Sequence, residues 1–278
     1  MQTHAPYTVI TGASKGLGKA LAVACAKRKR NVILVSLPGE AIQDLADSLA
    51  LTYQIQTASF EADLTDSDEL QALCDWIKTN FEIDLLINNA GIGGSAQFDK
   101  ISKSKIDQMM LLNVRALVML THELLPLLKV QKEGYILNIA SMASFSPIPF
   151  KTVYPATKAF VYSFSRGLSA ELSDGNITVS VAHPGPMPTN PEVSRRIAKH
   201  NSLVKKMTLS AEETAEICLH HLFKGNKMII PGLMNQISLF ILKLFPVGWK
   251  LVFLRKTIAK EIATDKQQVK WVPKVQSI

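Results

Sequence analysis

Apolar residues in this chain fall into short runs that alternate with longer segments of helical periodicity. Seven runs read as strands: Tyr7–Thr11, Asn31–Val35, Gln54–Ser59, Asp84–Asn88, Gly134–Ala140, Ile177–Ala182 and Lys227–Ile230. Between them the apolar spacing predicts helices near 17–29, 39–50, 66–80, 104–129, 152–173 and 210–224. Strands that alternate with helices lie parallel and are joined by right-handed crossovers. Both faces of such a sheet are covered, so its strands are apolar throughout, as in Asp84-Leu85-Leu86-Ile87-Asn88. No repeat, low-complexity stretch or linker interrupts the pattern before about residue 230. The expected fold is α/β: one Rossmann-like doubly wound domain over residues 1–232, with a mainly parallel seven-stranded sheet and helices on both faces.

The stretch 228–254 breaks the pattern. It is strongly apolar, but Lys243, Pro246, Gly248 and Lys250 interrupt it, and a bilayer span needs about 20 mostly apolar residues in one run. Two amphipathic helices broken at Pro246 are expected instead. Residues 233–278 are then a C-terminal extension with three candidate seats: the domain, a partner subunit, or a membrane surface with lysines at the headgroups. A lid over an apolar pocket fits the same pattern.

Composition narrows the class. An apolar fraction of 47% is ample for a buried core and argues against disorder. The formal charge of +8 is scattered through short runs such as Lys27-Arg28-Lys29-Arg30, which suit solvated helix ends, a phosphate-bearing ligand or an anionic surface. No interleaving of aromatic and basic residues supports nucleic acid as a partner. Cys25, Cys74 and Cys218 are odd in number and form no CxxC pair, as in a reduced cytoplasmic protein. The opening Met-Gln-Thr-His-Ala-Pro is short and polar, unlike a secretory signal. His183, His220 and His221 have no ligand-like spacing with cysteines or carboxylates, so no metal is expected.

Candidate chemistry begins where the first strand ends. Thr11-Gly12-Ala13-Ser14-Lys15-Gly16-Leu17-Gly18 runs from strand into helix. Glycines there permit a tight turn and bring backbone N–H groups and a helix N-terminus to a pyrophosphate. Asp63, after the third strand, is placed either to accept the adenine amino group or to serve as part of the helix cap in Asp63-Leu64-Thr65-Asp66. Asn88-Asn89-Ala90-Gly91 ends the fourth strand, at the edge where open α/β sheets bind ligands. Where NAD sites carry an acid for the ribose 2′-hydroxyl, this chain has Ser36, Leu37 and Pro38, and Lys15 could neutralise a 2′-phosphate. NADP(H) is therefore favoured, with NAD(H) as the alternative.

These motifs, with Asn113, Ser141, Tyr154-Pro155-Ala156-Thr157-Lys158 and Pro184-Gly185, resemble those of the short-chain dehydrogenase/reductase family in its single-domain form, over roughly residues 7–232. The resemblance implies a catalytic set of Asn113, Ser141, Tyr154 and Lys158. It also implies a cofactor site drawing on Gly12, Ser14, Lys15, Gly16, Leu17, Gly18, Ser36, Asp63, Leu64, Asn89, Ala90, Gly91, Tyr154, Lys158, Pro184, Gly185 and Thr189. In that family Lys158 also binds the nicotinamide ribose, and Asn113 holds a water that links Lys158 to solvent. Elementary chemistry agrees: a tyrosine normally titrates near pH 10, too high for an effective base at neutral pH, where it stays protonated. Tyr154 and Lys158 are four apart and share a helix face, so the ammonium, with the cofactor's positive nicotinamide, is expected to lower the phenol's pKa. Taken singly, Tyr154 could be a helix-start residue, Asn113 a polar residue bending a helix, and Ser141 a cap.

Basic residues Arg195, Arg196, Lys199, Lys205 and Lys206 lie in the segment that covers the substrate in the family. With the apolar tail, they suggest a lipophilic ketone or alcohol: a 3-oxoacyl thioester, a steroid or a related compound. Apolar faces from Met109 to Leu128 and from Ala159 to Leu172 correspond to the family's dimer helices, so a homodimer or homotetramer is expected. Two rivals remain: a nucleotide-sensing protein without catalysis, and a sugar-nucleotide epimerase, the latter disfavoured by the glycine spacing and the short C-terminal part.

Overall fold

The computed structural model describes residues 5–94, 96–187, 208–249, 251, 252, 254 and 255. Seven strands, β1 (Tyr7–Thr11), β2 (Asn31–Ser36), β3 (Thr57–Glu61), β4 (Ile83–Asn88), β5 (Gly134–Ile139), β6 (Ile177–Ala182) and β7 (Met228–Ile229), form one parallel sheet in the order β3-β2-β1-β4-β5-β6-β7. The helices are α1 (Gly16–Lys27), α2 (Ile42–Tyr53), α3 (Ser67–Asn80), α4 (Lys103–Met110), α5 (Leu117–Lys129), α6 (Val153–Glu171), α7 (Ala211–Phe223) and α8 (Leu233–Leu244). This is the doubly wound Rossmann-like arrangement. Its order reverses between β1 and β4, which opens a crevice at the carboxyl ends of these two strands.

Alternate strand residues serve opposite faces. Ile10, Leu34, Ile87 and Leu137 pack under α1, α2 and α7, while Val9, Ile33, Leu86 and Ile136 pack under α3 and α5. All eight are fully buried, each contributing roughly 1.5–3 kcal/mol.

The largest departures from the periodic reading lie in the second helix, the third strand and the long helix predicted over 104–129. The second helix runs over Ile42–Tyr53 rather than 39–50, because Gly39 (φ 79°) and Ala41 (φ 51°) are left-handed and cannot start a helix. At its other end Gln54 (φ 53°) closes the helix, so β3 begins at Thr57 rather than at Gln54. The predicted helix 104–129 is interrupted by a π-helical turn, Leu111–Ala116, between α4 and α5. Although Lys103–Lys129 is apolar and long enough to cross a membrane, Leu117, Leu120, Leu124 and Leu128 are buried on one face of it, where α5 packs against the sheet.

Candidate active site

The glycine turn is built by backbone geometry. Gly12 (φ 64°) and Gly16 (φ 55°) take left-handed conformations, and a Cβ on Gly18 would stand 1.9 Å from the Gly12 carbonyl oxygen. Only glycine fits there. The N-cap of α1, Lys15, makes no side-chain capping bond, and the first turn of the helix holds no acid. Among the described residues its N-terminal N–H groups and positive dipole end therefore have no capping side chain, as a pyrophosphate site requires. Leu17 is buried in the core, which leaves its backbone for any role toward a ligand.

The end of β4 is bolted to this turn. The Thr11 hydroxyl accepts from the Asn89 and Ala90 N–H groups, both at 3.0 Å. The Asn89 side-chain amide donates to the carbonyls of Thr11 (2.9 Å) and Gly12 (3.1 Å). Asn89 thus shapes the glycine turn, and Thr11 belongs to the machinery although its hydroxyl was not singled out.

On the ribose side, Ser36 spends its hydroxyl on the Leu37 carbonyl at 3.1 Å. The structure adds a residue absent from the sequence-based set, Glu40. Its carboxylate accepts from the Ser14 hydroxyl and pairs with the Lys15 ammonium. These contacts, Lys15 first, hold the Glu40 carboxyl below its usual range. Lys15 is therefore already matched with an acid.

Asp63 and its neighbours divide their roles. Asp66 is the N-cap of α3, accepting from the N–H groups of Asp68 and Glu69. Asp63 caps the preceding turn, taking the Thr65 N–H at 2.9 Å and the Thr65 hydroxyl at 2.8 Å through one oxygen, and the Leu64 side chain is core.

Four elements converge on the expected catalytic set. Asn113 sits in the π-helical turn, a local defect often found at functional sites. Its amide makes a two-way bond to Ile92, accepting from the N–H and donating to the carbonyl, each at 2.9 Å, and also donates to the Thr157 hydroxyl at 3.0 Å. Lys158 is almost fully buried and donates to the Ile139 carbonyl at 2.8 Å. A Cβ on Gly91 would stand 3.2 Å from both Asn113 Oδ1 and Lys158 Nζ, so the bare backbone of Gly91 lets these groups approach.

Ser141, extended after β5, caps the 3₁₀ turn Met142–Phe145, and its hydroxyl accepts from the Ala143 N–H at 3.1 Å. The same hydroxyl neighbours the Tyr154 phenol and favours its ionised form. Burial raises the phenol's pKa, with the Ser141 hydroxyl pulling the other way. The lowering expected from Lys158 is thus not seen among the chain's own groups: burial is the largest influence, and Ser141 is what opposes it. Burial also drags Lys158 down to about 8.

Beside Tyr154 lies a largely apolar hollow lined by Phe98, Ile101, Met109, Phe150 and Val153. Phe150 is held at φ 64°, and its carbonyl accepts from the Ala96 N–H at 2.8 Å. Such a conformation is strained for an aromatic residue.

The loop after β6 closes the site. The Pro184 carbonyl accepts from the Met142 N–H at 3.0 Å, and a Cβ on Gly185 would collide with the Asn235 side chain of α8 at 2.6 Å. His183, wholly buried, places Nδ1 2.8 Å from the Ser144 hydroxyl and 3.2 Å from the Ser141 carbonyl. Thr189 and the basic residues between Arg195 and Lys206 lie outside the described residues. Among the described residues no cluster of histidines, cysteines and acids could hold a metal ion.

A parallel sheet with a glycine turn at its switch point, and a Ser–Tyr–Lys–Asn set around the same crevice, defines a nucleotide-dependent dehydrogenase fold. The short chain dehydrogenase family model matches residues 6–200, and the chain belongs to the short-chain dehydrogenase/reductase family. Among curated relatives it is 34% identical over 182 residues to very-long-chain 3-oxoacyl-CoA reductase-A of Danio rerio, covering 64% of this chain and 57% of that protein. It is 31% identical over 230 residues to 17-beta-hydroxysteroid dehydrogenase type 3 of Mus musculus, covering 81% of this chain and 72% of that one. The match thus spans less than two thirds of the reductase. A solved short-chain dehydrogenase from Sphingobium yanoikuyae in complex with NADPH superposes with a TM-score of 0.74 at 27% identity, over 98% of both chains.

Proposed function

We propose that this protein is an NADP(H)-dependent oxidoreductase that moves a hydride between the nicotinamide and the carbonyl or alcohol carbon of a lipophilic substrate. The observation that carries the reading is the convergence of Ser141, Tyr154, Lys158 and Asn113 beside a largely apolar hollow. The nicotinamide supplies or accepts the hydride when bound. In reduction Ser141 and Tyr154 bond the substrate oxygen, and the Tyr154 proton passes to that oxygen as the carbon gains its hydride. Oxidation runs the same transfer backwards. Lys158 replenishes the proton, and Asn113 keeps the route to solvent open.

For the cofactor, the residues present fit: the unpartnered end of α1, the close approach allowed by Gly12 and Gly18, and the bare backbone of Gly91. NADP(H) is supported by the lack of an acid at Ser36, Leu37 and Pro38 and by the NADPH-bound relative. Glu40 favours a second reading, NAD(H), since a ribose diol suits a carboxylate better than a 2′-phosphate does.

The substrate class rests on the apolar hollow and on the names of the relatives, a 3-oxoacyl-CoA reductase and a hydroxysteroid dehydrogenase. Residues 1–232 form the catalytic domain in this reading, and 233–278 an extension. Self-association is supported by exposed Met110, Met119 and Phe160 on the paired helices.

We also place the protein in the cytoplasm, peripherally on membranes. Leu233, Ile237, Phe240, Ile241 and Leu244 form an exposed apolar face of α8, followed by exposed Phe245, Val247 and Trp249. From residue 233 onward the chain carries eight lysines and arginines against two acids, which suits an anionic lipid surface. Sedimentation with phosphatidylglycerol-containing vesicles, lost on Phe240→Ser with Trp249→Ser, supports docking; equal binding by the variant overturns it.

The central test is initial rates with NADPH and NADH against ketones graded in chain length, with Tyr154→Phe in parallel. NADPH-preferring turnover that rises with chain length and vanishes in the variant supports the reading. Tight cofactor binding with no turnover across the panel moves the weight to a nucleotide-sensing protein.

A further inference from the structure

We propose that His183 is a positioning residue that holds the Ser141 peptide through Ser144, so that the Ser141 hydroxyl meets the substrate oxygen in one fixed orientation. The inference rests on the catalytic reading of Ser141 given above. It starts from what pins the turn after β5. The Ser144 hydroxyl donates to the Ser141 carbonyl, and His183 Nδ1 lies within reach of both that hydroxyl (2.8 Å) and that carbonyl (3.2 Å). The Ser141 side chain accepts from the Ala143 N–H, which leaves its own proton for Tyr154 or a substrate oxygen.

The tautomer follows from counting donors. Nε2 of His183 is buried and has no hydrogen-bond partner among the described residues. An unpaired buried N–H is costlier than an unpaired buried lone pair, so the proton sits on Nδ1. From there it donates to the Ser144 oxygen, and the Ser144 proton continues to the Ser141 carbonyl. Reversing the tautomer would turn Nδ1 into an acceptor and draw the Ser144 proton away from Ser141.

The ring is fixed independently. Phe145 and Tyr162 flank it with centroids at 4.4 Å and 5.1 Å, and the backbone N–H of His183 donates to the Ile229 carbonyl of β7 at 2.8 Å, fixing the main chain that carries the ring. Burial pushes the imidazole down to about 4, so it stays neutral through the physiological range. A neutral, immobile donor on the peptide that carries Ser141 suits positioning and does not suit proton transfer.

The test is a double-mutant cycle in the full-length enzyme with His183→Phe, Ser144→Ala and Ser141→Ala. Misplacing a catalytic group costs up to about 100-fold in rate. His183→Phe is therefore expected to lower kcat by about 10- to 100-fold with the cofactor KM unchanged, and His183→Asn, which keeps a donor near the Nδ1 position, to recover most of it. In the Ser141→Ala background the same change should cost less than about twofold, because the group it positions is gone. Equal losses in both backgrounds would overturn the proposal.

Nitrogen NMR of labelled histidine gives a readout independent of turnover. A protonated Nδ1 whose shift moves in Ser144→Ala is the expected result; a protonated Nε2 refutes the arrangement even in a protein that proves fully active. Should no ketone turn over, the spectrum still decides the hydrogen-bond chain, while the failed turnover counts against the catalytic reading alone.

Discussion

Burial alone pulls the Lys158 ammonium from 10.5 down to about 8, so the fold works against its own charged lysine at neutral pH. The unfolded chain titrates this group near the ordinary lysine value, about 10.4. Below pH 8 both states are protonated and the folded protein bears the full desolvation penalty. Above about pH 10.5 both are neutral and the penalty is gone. Between those limits the unfolded state holds more protons, and stability rises by about 1.4 kcal/mol per pH unit, or about 3 kcal/mol across the interval. Lys158→Met lacks the group. Its stability relative to wild type is therefore expected to fall by about 3 kcal/mol between pH 7 and the alkaline limit, most of it by pH 10. The variant also strands the Ile139 carbonyl, at a cost of about 1–3 kcal/mol, but that offset is the same at every pH and cancels in the comparison. Urea unfolding of both proteins at pH 7 and pH 10, free of cofactor, reads the difference. A gap that does not change with pH, or one that moves in the variant's favour as pH rises, would refute the reasoning.

Three further outcomes follow from the site and its supports. Glu40→Gln removes the acid that engages Lys15 and Ser14, and the NADPH-to-NADH ratio of kcat/KM should rise about two- to fivefold, within the range of an exposed ion pair; an unchanged ratio counts against Glu40 as a cofactor-selecting residue. Gly18→Ala drives a Cβ into the Gly12 carbonyl, so thermal melts should show a loss of roughly 1–3 kcal/mol and titration should show weakened cofactor binding. Wild-type melting and affinity together would mean that the turn opens freely. Ser210 and Glu213 form a reciprocal capping box at the start of α7, so Ser210→Ala should cost about 1 kcal/mol, seen as a melting shift of about 2–4 °C that Ser210→Asp largely restores.

The sheet was readable because its inner strands are apolar runs buried on both sides, such as Val32 to Val35 and Leu85 to Ile87. The start of β3 was not, since Gln54 and Ile55 look strand-like and only the left-handed φ of Gln54 shows that the helix closes there. Asn113 was expected in the site, yet the π-helical turn carrying it has no breaker residue and depends on the tertiary bonds to Ile92 and Thr157. Glu40 is not legible in the sequence because it lies four residues beyond β2, and the folded turn around Gly39 and Ala41 brings it back to Ser14 and Lys15. The role of His183 is not visible in the sequence, because its bonding to Ser144 and Ser141 joins the ends of two strands adjacent in the sheet but far apart in sequence.

The π-helical turn divides one continuous rod into two phases. One additional residue in a helix shifts everything beyond it by about 100° around the axis. Met109, at the end of α4, can thus face the apolar hollow while Leu117, Leu120 and Leu124 of α5 face the core. No substitution that keeps the chain length can bring the two halves back into phase. Removing one residue from Leu111–Ala116 would let the rod run as ordinary α-helix, with either its substrate side or its core side turned away from its seat. Within this segment, Asn113 apart, residue count is under tighter constraint than residue identity.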